Sequence, residues 1–226
     1  RQFGRVIQYL NCLPITTLSI DNVEADDIMA YIANEIYTDQ KNRVTICSTD
    51  RDFLQLVNDR ISVWSPIKKK MYTPSVMKEE FGFNSTNYLI YRSFIGDKSD
   101  NIPGLKGVGP KSLVKYFPVF TEDREITIDE LVEYANDVDK KYKVHTLVSE
   151  NKELLELNYK LMQLKEVDIN GNAKMITQNR VQGDIDKLNT LEFKKMFMAD
   201  KMYTVIKDLD SWLKSSFNSL NAYASL

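Results

Sequence analysis

The chain has 226 residues, 43% of them hydrophobic and 27% charged, with a net charge of −2. That is enough apolar material for one large domain or two small ones, and no apolar run approaches the length of a membrane span. With Cys12 and Cys47 far apart, no CxxC and no recognisable signal peptide, the expectation is a reduced, cytoplasmic protein outside the membrane rather than a disulfide scaffold. The near-neutral charge does not exclude a nucleic-acid partner, because an acidic metal centre would cancel basic surface elsewhere.

Taken in order, Phe3, Val6, Ile7 and Leu10 recur at helical spacing and Pro14 ends that element. Residues 15–20 form a β-branched apolar run suited to a buried strand, and 21–36 predict a helix with Ile28, Ile32 and Ile36 on one face. A second strand is expected over 43–48, a short helix over 53–57 and a third strand over 61–65. This strand–helix alternation predicts an α/β fold with a parallel sheet. Lys68-Lys69-Lys70 with Met71-Tyr72 reads as a hairpin or edge strand, and its lysines as either a solvated turn or a DNA-backbone contact. Helices follow over 76–81, 85–95 and 112–117, then over 127–136, 150–163 and 191–217, with Asn170-Gly171-Asn172 marking a turn. The region 1–75 is therefore expected to be an α/β core and 76–226 a helical region.

Three acidic clusters stand out: Glu24, Asp26 and Asp27 after the first expected strand, Asp50 and Asp52 after the second, and Asp97 with Asp100. Each has a plain explanation in helix capping, the helix dipole or an Asx-turn. Together they carry more. The first two lie just beyond the C-terminal ends of expected parallel strands, where open α/β sheets place their crevice. Two like charges about 6 Å apart repel by roughly 3 kcal/mol at an effective dielectric near 20, and divalent metal relieves this. Carboxylate oxygens suit Mg²⁺ or Mn²⁺, whereas zinc's usual partners are scarce, with one His and two Cys. Two such ions can activate a water and stabilise the leaving oxygen of an in-line phosphoryl displacement.

The acidic pair runs into Gly104-Leu105-Lys106-Gly107-Val108-Gly109-Pro110-Lys111. Its glycines permit a tight turn and close backbone approach, Lys106 and Lys111 add charge, and backbone N–H groups at the following helix can meet a phosphate. Such a device grips a duplex backbone without reading bases, so its binding is salt-dependent.

These residues resemble the 5′-nuclease superfamily of flap endonucleases, DNA polymerase I 5′-nuclease domains and phage 5′-exonucleases. Four blocks carry the resemblance: Val23-Glu24-Ala25-Asp26-Asp27, Ser48 through Leu56, Gly96 through Gly104, and Lys106 through Lys111. Trp64-Ser65-Pro66 followed by lysines is most similar to the RNase H of T-even-type phages, which suggests a phage-encoded member. The resemblance implies a PIN-like parallel-sheet core, a helix-three-turn-helix module at about 85–120, and a helical C-terminal region. It also implies catalytic metal ligation by Glu24, Asp26, Asp50 and Asp52, with Asp27, Asp97 and Asp100 completing two Mg²⁺ or Mn²⁺ sites. The hairpin residues Gly104, Lys106, Gly107, Val108, Gly109 and Lys111 would bind DNA, with room for K⁺ at that loop.

The implied substrate is duplex DNA with a 5′ flap or nick, or an RNA–DNA hybrid, cut by a monomer alongside replication proteins. The family's opening strand, first metal-binding Asp and helical arch have no counterpart here, so the chain is expected to hold the later part of such a nuclease. The rivals are a non-catalytic, structure-specific DNA clamp, which has no use for seven carboxylates, and a PIN-type ribonuclease, which should lack the Gly-Val-Gly hairpin. Plainer expectations cover the rest: His145 as a surface or packing residue, Cys47 as an inert core thiol, and Trp64 and Trp212 as packing residues.

Overall fold

The computed structural model describes residues 2–224. The chain forms two compact units, one of residues 23–169 and one that joins the stretch up to Asn22 with the stretch from Asn170 onward. Helix α1 (Gln2–Leu10) opens the latter. Residues 15–20, expected as a buried strand, form none. Their β-branched composition favours extension, but strand structure requires a neighbouring strand to share the backbone bonds, and no described strand pairs with them.

In the 23–169 unit, α2 (Ala25–Tyr31) passes into a π-helical turn at Ile32–Ile36. Then come β1 (Val44–Cys47), a 3₁₀ turn at Asp52–Leu56, β2 (Ile61–Ser65) and β3 (Lys70–Tyr72). The sheet has the order β1-β2-β3. β1 and β2 are parallel, with Val44 opposite Ile61, and β2 and β3 are antiparallel, with Val63 opposite Tyr72. The expected parallel pair is present, but the described sheet is small and mixed rather than all-parallel.

Ile46, Ile61, Val63 and Tyr72 fill the inner face. Cys47 is exposed, which corrects the expectation of a core thiol: successive strand residues face opposite ways, and Ile46 takes the inward position. The lysine run closes the β2–β3 turn, with Lys69 at φ 50°. Lys70 Nζ donates to Glu80 at 2.6 Å and Lys68 Nζ to the Tyr72 hydroxyl at 2.9 Å, and both ammonium groups lie over the Tyr72 ring. Two of the three lysines are thus held by structure.

Thr73 caps α3 (Pro74–Phe81) by accepting the Val76 N–H, and Gly82 ends it at φ 82°. A 3₁₀ turn at Ser85–Asn87 leads to α4 (Tyr88–Ile95), followed by α5 (Pro110–Tyr116) and α6 (Ile128–Asp137). Thr127 and Glu130 cap α6 reciprocally. The helix expected over 150–163 is preceded by an unforeseen one: α7 (Lys143–Glu150) is separated from α8 (Lys152–Met162) only by Asn151. Phe83, Tyr88, Phe94, Phe117 and Phe120 are fully buried in one cluster with the sheet residues. His145 is buried there too. The Tyr142 N–H donates to its Nδ1 at 3.2 Å and Nε2 lies 3.0 Å from the Tyr116 carbonyl, so the neutral Nε2–H tautomer ties α7 to the end of α5.

Past Ile169 the chain returns to the unit that α1 opens, with α9 (Gly171–Gln182), α10 (Thr190–Ala199) and α11 (Leu209–Tyr223). The turn expected at Asn170-Gly171-Asn172 is instead the start of α9: Asn170 is its N-cap, accepting the Ala173 N–H at 2.9 Å, and Gly171 and Asn172 lie in its first turn. The single helix expected over 191–217 is broken, because Lys201 turns left-handed at φ 56° before a 3₁₀ turn at Met202–Thr204. Cys12, Phe193, Met196, Phe197 and Leu213 form this unit's core. Asp200 accepts from Arg5 Nη2 at 3.0 Å and from the Tyr9 hydroxyl at 2.8 Å, fastening α1 to the end of α10. Burial and then the Asp200 carboxylate push the Tyr9 hydroxyl up to about 12. Among the described residues no helix is long and apolar enough to cross a membrane.

Candidate metal centre

The acidic residues reach one unit by three routes, residues 23–169 containing all of them. Glu24 stands at the N-cap of α2 in extended conformation and makes no side-chain cap bond, so capping does not account for it. Asp26 and Asp27 occupy the first turn of that helix. Asp50 and Asp52 follow β1, where the Asp52 N–H donates to Asp50 Oδ1 at 2.8 Å, an Asx-turn. Asp97 follows α4 and accepts the Ser99 N–H on Oδ1 at 2.7 Å as well as the Ser99 hydroxyl. The turn chemistry is real for these two clusters, yet it leaves the carboxylates beside one another.

Asp52, Asp97 and Asp100 each offer a carboxylate oxygen within 4.8 Å of the others. Glu24, Asp26, Asp27 and Asp50 fall outside that triad. They form a neighbouring group linked through Asp52: burial pushes the Asp26 carboxyl up first, and the charges of Asp50, Glu24, Asp52 and Asp27 push it further. Burial and Glu24 likewise raise Asp27. Asp52 is raised by burial despite the counteracting Arg92 guanidinium. Asp97 behaves oppositely, held down to about 2 by the Ser99 hydroxyl and then by Arg92 against the effect of burial.

The raised values give a pH dependence with a definite sign. An acid whose folded-state value lies above its ordinary 3.8 stabilises the fold below that ordinary value, and the benefit is lost as pH rises through the raised one. Replacing Asp26 with asparagine is therefore expected to raise the melting temperature of the metal-free chain at pH 7. The gap to wild type should shrink as pH falls toward 4, and saturating Mg²⁺ at pH 7 should narrow it too. Thermal melts across that range would refute this reading if the gap stayed constant.

A buried group missed by sequence reasoning sits between the clusters. Arg92 in α4 is 5% exposed; its Nε donates to Asp52 Oδ1 at 2.7 Å and its Nη2 to Asp97 Oδ2 at 2.5 Å. Burial opposes its charge, but Asp52 and Asp97 outweigh that and hold the guanidinium above its ordinary value. A signal was present: Arg92 is the one charged residue in the otherwise apolar or neutral stretch Tyr-Leu-Ile-Tyr-Arg-Ser-Phe-Ile. Two buried amides fix the supporting backbone. Gln55 Nε2 donates to the carbonyls of Asp52 and Met162, both at 2.9 Å, and its Oε1 accepts the Leu164 N–H. Asn158 Nδ2 donates to the carbonyls of Ser93 at 2.9 Å and Pro103 at 2.7 Å.

The loop from Asp97 is closed by paired backbone bonds between Asp97 and Ile102, of 2.9 and 2.7 Å. The returning chain crosses the end of α4 at Gly104, where a Cβ would lie 2.1 Å from the Ile95 carbonyl oxygen. Leu105 then donates to the Phe94 carbonyl at 2.7 Å and is buried, anchoring the hairpin. Gly107 makes the turn at φ 84°, beside the partly buried Val108. The Gly109 N–H is not free: it donates to Ser112 Oγ at 2.8 Å. Lys106 and Lys111 are exposed and make no ion pair among the described residues.

The residues present fit hard divalent ions: the donors are all carboxylate oxygens, drawn from separate segments and crowded enough to raise one another's pKa. The chain is also similar to known proteins. The family model described as 5′-3′ exonuclease, N-terminal resolvase-like domain, matches residues 1–82. A 5′-3′ exonuclease of Aquifex aeolicus (strain VF5) is 28% identical over 210 residues, covering 92% of this chain and 66% of that protein. Flap endonuclease Xni of Shewanella halifaxensis (strain HAW-EB4) is 32% identical over 168 residues, covering 74% of this chain and 63% of that one. Among solved structures, a 5′-exonuclease of bacteriophage T5 superposes with a TM-score of 0.54 at 24% identity, over 80% of this chain and 68% of that one. The bacteriophage T5 D15 flap endonuclease, solved as a pseudo-enzyme-product complex with DNA and metal ions, gives 0.53 at 25% identity, over 82% and 62%. The chain spans just under two thirds of the length of these curated exonuclease and flap-endonuclease relatives.

Proposed function

The chain belongs to the 5′-nuclease superfamily, and we infer that it carries the metal ligands of a divalent-metal-dependent nuclease that cuts 5′ flaps, nicked duplexes or RNA-primer-containing duplexes. One observation carries this reading: Asp52 and the Asp97–Asp100 pair, from distant segments, converge within 4.8 Å. Asp52, Asp97 and Asp100 would hold one Mg²⁺ or Mn²⁺, and Glu24, Asp26, Asp27 and Asp50, with Asp52 shared, the other. Bound there, such ions supply charge neutralisation at the scissile phosphate and lower the pKa of an attacking water.

The chain's own contribution is placement. Gln55 and the Asx-turn orient Asp52, and the Asp97–Ile102 pairing holds the second acidic loop. The nuclease core through residue 75 supplies Glu24, Asp26, Asp27, Asp50 and Asp52, while the helical region from 76 onward supplies Asp97 and Asp100 and, through its helix-three-turn-helix at about 85–120, the duplex grip. Gly104, Lys106, Gly107, Val108, Gly109 and Lys111 form that grip. Because the Gly109 N–H is committed to Ser112, the exposed Lys106 and Lys111 are its main phosphate contacts, and K⁺ at the loop would add to them.

The test is cleavage of 5′-labelled flap, nicked and RNA–DNA substrates by the full-length protein with Mg²⁺, Mn²⁺ or EDTA. Metal-dependent release of 5′ products is expected, abolished by EDTA. Tight duplex binding without cleavage in any divalent metal would leave the non-catalytic clamp as the better reading.

A further inference from the structure

Three charges meet in the interior where Arg92 lies between Asp52 and Asp97. Among the described residues it is the one side chain hydrogen-bonded to both carboxylates. The helix that carries it is itself pinned, through Asn158 to the Ser93 carbonyl and through Gly96 N–H to the Arg92 carbonyl. The side chains of Asp52 and Asp97 are only 15% and 18% exposed, so solvent screens their repulsion poorly.

A guanidinium stays charged at any working pH and presents donors in a rigid planar fork. Each carboxylate gives Arg92 one oxygen, Oδ1 of Asp52 and Oδ2 of Asp97, and this sets the direction of the other. We propose that Arg92 is a positioning residue of the metal centre: a resident cation that holds Asp52 and Asp97 at ligand spacing before a divalent ion arrives, and that the ion supplements rather than replaces. The proposal rests on the metal-dependent reading above.

Charge and positioning predict opposite signs, which makes the idea testable. Removing a nearby positive charge should tighten divalent binding by Coulomb's law alone. Losing a group that orients ligands should weaken it, on the order of tenfold to a hundredfold. Mn²⁺ binding to the full chain, followed by the electron paramagnetic resonance of free Mn²⁺, is measured for wild type, Arg92→Met and Arg92→Lys, with circular dichroism to check folding. Arg92→Met is expected to bind Mn²⁺ at least about tenfold more weakly while folded, with Arg92→Lys between it and wild type because lysine keeps the charge but loses the fork.

Equal or tighter binding in a folded Arg92→Met overturns the proposal. Should Arg92→Met fail to fold, Arg92→Lys decides: weakened binding supports positioning, and wild-type affinity overturns it. A folded wild-type chain that binds no Mn²⁺ overturns the metal reading and this proposal with it. Wild-type binding with both folded variants unchanged overturns the Arg92 role alone.

Discussion

Replacing Asp97 and Asp100 together with alanine in the full-length protein is expected to slow Mg²⁺-dependent cleavage of a 5′-labelled flap at least about a hundredfold, near 3 kcal/mol of transition-state stabilisation. Two of the three converging carboxylates disappear, while the loop that carries them is held by main-chain bonds between residues 97 and 102, which alanine retains. The hairpin that would grip the duplex is anchored separately, through Leu105 and Asn158. Duplex affinity should therefore survive and cleavage should not. The variant also leaves Arg92 Nη2 without its Asp97 acceptor, a cost of about 1–3 kcal/mol in stability, so the Asp97→Asn/Asp100→Asn pair is the companion that keeps an acceptor in place. Undiminished cleavage in both pairs would remove these aspartates from the metal centre. Parallel loss of binding and cleavage would instead mark them as structural.

The largest effect on stability is expected at Gly104. An alanine Cβ there would stand 2.1 Å from the Ile95 carbonyl oxygen and 2.8 Å from the Gly96 nitrogen. Both obstacles are backbone, so no rotamer change relieves the overlap. Separating the two crossing segments would break the Leu105 bond to Phe94 and the Asn158 bond to Pro103, each 2.7 Å. Gly104→Ala should destabilise the fold by about 3 kcal/mol or more, read as a lower denaturant midpoint in equilibrium unfolding. Gly107→Ala provides the contrast. Its Cβ would enter open space, and only the left-handed φ of 84° is unfavourable, about 1–2 kcal/mol. If the two substitutions cost the same, close approach at Gly104 is not what that glycine is for.

The acidic blocks and the glycine hairpin were legible in the sequence because their chemistry depends on residue type at short spacing. Asx-turns at Asp50 and Asp97 and the left-handed turn at Gly107 are local, and their residues announce them. Helices α3, α4 and α6 were likewise expected near their observed places, since 3.6-residue periodicity and capping residues act over a single turn or two. Residues 15–20 misled because strand propensity says that a segment can extend, not that anything pairs with it. Cys47 misled for a related reason, as side chains alternate along its strand and Val44 and Ile46 take the inward face. The break at Lys201 and the start of α7 depend on packing within their units, which spacing alone does not convey.

By itself, the sequence determined which atoms could do chemistry here: carboxylate oxygens for a hard cation, lysines and a glycine turn for a phosphate backbone. Only the tertiary structure decided which of them meet. It grouped Asp52 with Asp97 and Asp100, set Asp26 among a neighbouring set of acids, and buried Arg92 between Asp52 and Asp97. The physical reason is range. Turn and capping preferences are settled within a few residues, whereas the desolvation and charge balance of an acidic centre depend on groups far apart in sequence, brought together only when the core closes.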